Sequence, residues 1–462
     1  MANADGSGSV DPPTVVPQWL RWLRDVLFPA PVVPQRPTRR TVLGYLLGFV
    51  AAVVYLLVIP AGRSHLVRVW GEDGVIFMQE AFSNGFLTPI FTPYAGYLHL
   101  LPRLAAEVLS YLPVAWWAAG LAVTAAVLRA AMAVLVYAAT SGHVRSQTLR
   151  LAIAAAMIVL PAGNNEALNN LANLHWFVFF AAFWTLLWRP TYRWQSVVAT
   201  LGLVLFVLTT PLGVLLAPLA AVRLALPRRR DRAPAIAFFL GLAAALVPIL
   251  TATRPHSLID PSAVVVSSAA RGPLVTFTGS ELAAYLYPGM ASQYERLYAW
   301  PALLAVLLVC GLAGIAIVRG NAARRGLTIA SLLLGSALIL MSLYKNWEQL
   351  LLITAADVVL DVQRYSAGPC LFFFTGIVLG LAGPIRSRWR YAMVATRVAV
   401  IAVIATGVVY QWQSDAPLLK GITWSEAMAE AKRECASGET EVKIKTIPET
   451  RTFVTVPCTY LR

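Results

Sequence analysis

The sequence predicts an all-α, polytopic helical membrane protein of about 11 transmembrane helices. Three observations carry that prediction. Of the 462 residues, 58% are hydrophobic and only 13% are charged, with a mean hydropathy of +0.67. Apolar runs of membrane-spanning length recur along the chain, and continuous runs suit helices rather than the alternation of barrel strands. Basic clusters fall on alternate sides of successive runs, at Arg39-Arg40, His143 to Arg150, Arg189 to Arg193, Arg223 to Arg232, Arg319 to Arg325 and Arg386 to Arg397. That is the positive-inside pattern. The net charge of +15 therefore reads as topology, with membrane lipid and no nucleic acid as the expected partner.

Residues 1–40 are expected to form a cytoplasmic tail. The first 38 residues are polar and Pro-rich, and the first apolar run begins too late for a cleaved leader. Inside the tail, Gln18 to Phe28 sets Trp19, Leu20, Trp22, Leu23, Val26 and Leu27 against Arg21, Arg24 and Asp25. It reads either as an amphipathic helix in the inner interface or as a loosely ordered tail. The membrane domain, 41–411, has predicted spans at 42–60, 114–138, 149–163, 174–188, 195–209, 211–226, 234–250, 301–318, 327–343, 367–383 and 391–411. Pro93 to Leu112 is assigned to an outer interfacial helix, because a span there would carry the basic loop at 141–150 outside. An odd number of spans puts the N-terminus in the cytoplasm and residues 412–462 outside it. That last segment reads as an amphipathic helix, Thr423 to Glu434, and a small hairpin of Glu441 to Ile447 with Thr452 to Val456. Cys435 and Cys458 bracket the hairpin and read as a disulfide. The Ala-, Arg- and Val-rich usage points to a GC-rich bacterium and hence to a plasma membrane.

This topology separates charge. Between residues 38 and 412 there are twelve carboxylates, and only Asp231 falls inside. Asp and Glu contribute little to orientation, so the outer face reads as the working face unless its loops are simply longer. Its polar segments are 61–113, 164–175, 251–300 and 344–366.

Four clusters there carry chemical content. In the acidic first outer loop, Trp70-Gly71-Glu72-Asp73-Gly74 offers a carboxylate to take a proton or hold a divalent cation, with the glycines allowing a tight turn; the plain alternative is a solvated helix cap. His99, Arg103 and Glu107 repeat every four residues, a polar stripe fit for a phosphate headgroup or for snorkelling with Arg103 paired to Glu107. Between Gly163 and Trp176 lie five asparagines with Glu166 and His175, more than a capped turn needs. Glu166, Asn170, Asn173 and His175 suit sugar hydroxyls, and Trp176 offers a face for a sugar ring. Arg364-Tyr365 precedes a late span, where a guanidinium can grip a lipid phosphate or pair with Asp361. No P-loop, zinc spacing, nucleophile elbow or dinucleotide fingerprint occurs. Arg129, inside the second span, is assigned no role.

The acidic pair in the first outer loop, the interfacial segments after it, the many spans and Arg364-Tyr365 before a late span together resemble the GT-C superfamily of membrane glycosyltransferases. The resemblance spans most of residues 40–410 as architecture and only the acidic loop and Arg364-Tyr365 as motif; Glu precedes Asp here where several such families have Asp first. It implies transfer of a sugar from a polyprenyl-phosphate donor to an extracytoplasmic glycan, lipid or protein acceptor. Asp73 would be general base or metal ligand, supported or replaced by Glu72; Arg364, with Tyr365 and Arg103, would hold the donor phosphate, and no cofactor beyond a divalent cation is implied. The competing class is a polytopic transporter or lipid flippase using the outer acids as an ion or substrate site, with Thr209-Thr210-Pro211 as its broken helix. A third is a membrane assembly protein docking through the hairpin.

Overall fold

The computed structural model describes residues 17–29, 38–85, 87–251, 261–286, 300–345, 363–382, 390–413, 420–447 and 452–461. Among them, seven helices are long and apolar enough to cross a membrane: Arg39–Val58, Val114–Gly142, Arg229–Thr251, Trp300–Arg319, Ala322–Tyr344, Arg364–Leu381 and Arg390–Gln413. The chain is a multi-pass, all-α membrane protein. Four of the eleven expected spans, at 149–163, 174–188, 195–209 and 211–226, are corrected to shorter helices, Gln147–Val159, Ala172–Leu187, Arg193–Thr209 and Pro211–Leu224. At about 1.5 Å per residue they fall short of a hydrocarbon core roughly 30 Å thick. Proline sets the limits. Pro161, Pro190 and Pro227 follow the first, second and fourth, and Pro211 divides the third from the fourth. The interfacial stretch holds an eleven-residue helix, Leu100–Ser110.

A proline also leaves the carbonyl four residues before it without a helical donor. The chain answers repeatedly with a polar side chain. Arg129 Nε donates to Met157 O, four before Pro161. Arg223 Nη1 reaches Leu186 O, four before Pro190. Asn169 Nδ2 does the same for Leu56 O, four before Pro60, at 2.6 Å. This gives Arg129 its role: it is buried within a span, bonded to a freed carbonyl, with its guanidinium 3.8 Å over the Phe177 ring. Arg129→Leu is expected to destabilise by about 1–3 kcal/mol, the cost of an unpaired buried carbonyl. Adding Pro161→Ala, which returns an N–H, is expected to recover part of that loss in thermal unfolding. Losses that simply add would contradict the pairing.

The Trp117–Ala139 helix, 23 residues and so about 35 Å long, separates two chemically different ends. Just past its C-terminus, His143 bonds Leu27 O at 2.7 Å. The Gln18–Leu27 helix therefore sits at this end with Val26 and Phe28 buried and Trp19 and Trp22 exposed. Arg189 bonds Phe28 O and Pro29 O and pairs with Asp231. At the other end Trp424 Nε1 donates to Val114 O at 2.8 Å, bringing in the C-terminal segment. There Trp424–Ala436 starts on a Thr423/Glu426 capping box. Strands β1 (Glu441–Lys445) and β2 (Phe453–Pro457) pair antiparallel with Val442, Ile444, Val454 and Val456 inward. Cys435 and Cys458 form the expected disulfide, with Cα atoms 5.5 Å apart.

Candidate functional site

The C-terminal segment is built onto the acidic loop. Trp70 and Ile447 form a parallel bridge, Gly71 N–H donates to Ile447 O at 2.7 Å and Ile447 N–H to Val69 O at 2.9 Å. Gln79 gives and takes a hydrogen bond with the Thr455 backbone. The expectation that Gly71 and Gly74 make a tight turn is corrected, since neither has a positive φ. The role of Gly74 is clearance: a Cβ there would lie 2.9 Å from methyl groups of Val69, Thr446 and Val454.

The two acids of this loop have different surroundings. Asp73 is 1% exposed. Its Oδ2 accepts Leu171 N–H and its Oδ1 accepts Ala172 N–H, each at 2.8 Å, so it clips the first loop to the Asn-rich turn. Burial pushes its pKa up to about 7, against the pull of the two amides and with a further push from Glu72. Glu72 is half-buried. Among the described residues no hydrogen bond engages its carboxylate, yet its charge acts on Asp73, Glu166 and Arg364.

The Asn-rich turn is held together by the side chains expected to bind sugar. Asn170 Oδ1 accepts from Asn173 N and Nδ2, both at 3.0 Å. Asn170 Nδ2 and Asn173 Nδ2 both donate to Glu166 O. Asn169, Asn170 and Asn173 are buried, so the assignment of Asn170 and Asn173 to sugar hydroxyls is corrected: they fold the turn. Asn164 and Asn165 side chains lie outside the described residues. Trp176, 3% exposed, is also corrected from sugar platform to wall, its ring edge-on to Tyr365 at 5.7 Å. His175 stays partly exposed. Its Nδ1 faces Ala172 O at 2.9 Å, which places the proton of a neutral ring on Nδ1 and leaves Nε2 an acceptor.

Glu166 joins this turn to the late span. Its Oε2 accepts Arg364 N–H at 2.9 Å and its Oε1 lies 3.3 Å from Arg364 Nη1. Glu166 is nearly inaccessible, whereas the Arg364 side chain keeps 22% exposure with its guanidinium 5.2 Å from the Tyr365 ring centroid. Burial raises the Glu166 pKa to about 7, with Arg364 pulling the other way. The alternative partner Asp361 lies outside the described residues. Sequence reasoning missed Arg271, a buried cation whose charge acts on Glu166 and Tyr365. Its signal was an arginine in an apolar stretch just before Gly272-Pro273.

The His99, Arg103, Glu107 stripe is corrected. His99 has φ +52 and precedes the helix instead of joining it. The Arg103 side chain is fully buried, ion-paired with Glu80 and bonded to Leu98 O, and so is withdrawn from a headgroup. Glu107 is buried too. His99 stacks on Tyr97 at 3.6 Å, and Tyr97 lies 5.9 Å from His175. The stripe is thus a wall behind the site. Glu72, His175, Arg364, Tyr365 and Tyr97 stay partly exposed at the acid end.

Among the described residues no three His, Cys, Asp or Glu side chains converge to hold a metal ion. Asp73 and Glu166, the obvious partners for Glu72, already spend their oxygens on amides and Arg364. Neither a protein-family model nor a curated protein matches the chain.

Two buried carboxyls with pKa raised to about 7 give a signed pH effect. The folded state holds their protons more tightly than the unfolded chain, so their contribution is full below about pH 4 and declines as pH rises to about 7. Thermal unfolding is expected to show stability falling over that window, with a shallower slope in Asp73→Asn. An unchanged slope would contradict the burial of that charge.

Proposed function

We propose that the chain is an integral-membrane glycosyltransferase of the GT-C type, moving a sugar from a polyprenyl-phosphate donor to an extracytoplasmic acceptor. The observation that carries this reading is the placement, at one end of the bundle, of a partly exposed carboxylate, Glu72, that no hydrogen bond among the described residues engages, within electrostatic reach of a partly exposed guanidinium, Arg364. A carboxylate base and a fixed cation in mutual range suit an inverting displacement at an anomeric carbon. Glu72 takes the proton of the acceptor hydroxyl as that oxygen attacks the anomeric carbon. The bond from that carbon to the phosphate oxygen breaks, configuration inverts, and Arg364, flanked by Tyr365, stabilises the departing polyprenyl phosphate. His175 Nε2 accepts a hydrogen bond from a sugar or acceptor hydroxyl. Asp73 and Glu166 act through others, holding the Glu72 loop and Arg364.

The acid end is the outer one in this reading. The seven spans among the described residues and the eleven expected from the sequence are both odd in number, which puts the Gln18–Leu27 helix and the disulfide segment on opposite sides in this reading. The end carrying His143, Arg189 and Arg223 would be cytoplasmic and the disulfide end would lie outside a bacterial plasma membrane. The broken-helix feature of a transporter has a local use: Thr209 Oγ1 accepts Leu101 N–H at 3.0 Å, so the break fastens the interfacial helix. The test is binding. Polyprenyl phosphate at about 100 times its Kd is expected to stabilise the protein by about 2.7 kcal/mol, and Arg364→Ala is expected to lose that gain. Equal stabilisation of the variant would remove Arg364 from the phosphate.

A further inference from the structure

A cavity of about 460 Å³ lies where the C-terminal helix meets the first turn of the second span. Its size falls in the range of small-molecule sites, roughly 300–1,000 Å³. One wall is Ser425, Ala429 and Lys432, spaced i, i+4, i+7 and so on one face of Trp424–Ala436. The facing wall is Ala115, Ala118 and Ala119. Alanines on both sides hold the helices close while leaving a slot between them. No residue already placed in the candidate site lines it.

Its depth decides what fills it. Ala115 to Ala119 open the Val114–Gly142 helix, which is long and apolar enough to cross a membrane. Tyr111 and Trp116, 76% and 65% exposed, lie beside it, as aromatic side chains do at the level of lipid headgroups. An apolar slot at that level opens toward acyl chains on one side and phosphates on the other. Lys432 and Ser425 are exposed and supply a cation and a hydroxyl, the complement of a phosphate rather than of a choline or an ammonium group. We propose that this slot is a lipid site, taking one acyl chain of an anionic phospholipid from the adjoining leaflet with its phosphate on Lys432. The lipid then pins the C-terminal segment to the membrane beside Val67, the residue whose carbonyl accepts Trp424 N–H at 2.7 Å, five residues before Glu72.

The test is photo-crosslinking of the full-length protein in nanodiscs with phosphatidylglycerol carrying a diazirine in its acyl chain, mapped by peptide mass spectrometry. Adducts are expected on peptides containing Ala115 to Ala119 or Ser425 to Ala429. Lys432→Glu is expected to reduce them about fivefold, the equivalent of roughly 1 kcal/mol for one lysine against an anionic lipid. Ala429→Trp, an exposed position that fills the slot without entering the core, is expected to abolish them. Melting temperatures of both variants check that they fold. Equal labelling by the phosphatidylcholine analogue would overturn the headgroup assignment, and labelling that persists in Ala429→Trp would overturn the site.

Discussion

Glu72→Gln is expected to reduce sugar transfer by about 100- to 10,000-fold, the range for loss of a general base, while leaving the melting temperature close to that of the parent. A base must present a lone pair to the acceptor hydroxyl, and Glu72 is the member of the pair that is partly exposed and, among the described residues, free of hydrogen bonds to its carboxylate. Asp73 is enclosed, with an amide on each oxygen. Asp73→Asn turns one of those contacts into a donor facing a donor, at a cost of about 1–3 kcal/mol. Its expected phenotype is therefore lower stability, with activity recovering at reduced temperature. This reverses the weighting that the acidic motif alone invited, in which Asp73 carried the chemistry. A fully active Glu72→Gln protein, or an Asp73→Asn protein that is stable and dead, would restore it.

The second large effect concerns Arg364 and Glu166. Removing one partner of a buried ion pair leaves the other uncompensated, commonly at 3–5 kcal/mol. Glu166→Ala is expected to reach that range, because Arg271 and Arg364 both act on Glu166 and both would lose that counter-charge. Arg364→Ala is expected to cost less, because Glu166 already has a raised pKa and can protonate. Arg364→Met with Glu166→Leu is expected to regain most of the stability, as apolar replacements of buried pairs often do, and no activity. Thermal unfolding and transfer assays on the same three preparations separate the outcomes. An active double variant would show the pair to be structural alone.

Composition and basic clusters made the helical membrane class legible, and the Cys435–Cys458 pair with its alternating strands made the C-terminal hairpin legible. Helix length was harder to read. Pro161 and Pro190 were visible, but hydropathy averages over a window and does not register where a helix stops. Side-chain roles were the least legible. Asn170 and Asn173 look like a sugar site because a sequence lists their donors and acceptors without their partners, and the partners are one another and Glu166. Arg103 looked available for the same reason, its partner Glu80 lying 23 residues earlier. Arg364 with Glu166, 198 residues apart, was a link that periodicity could not reach.

The central claim is that Glu72 and Arg364 serve one chemical step on a lipid-linked sugar. It is tested most directly by incubating purified protein in proteoliposomes with polyprenyl-phosphate sugars and cell-envelope acceptor, and measuring free polyprenyl phosphate chromatographically. The account predicts release of polyprenyl monophosphate with transfer of the sugar, lost in Glu72→Gln and Arg364→Ala. Donor lipid that crosses the bilayer intact, with no release of the sugar, would contradict it and identify a transporter.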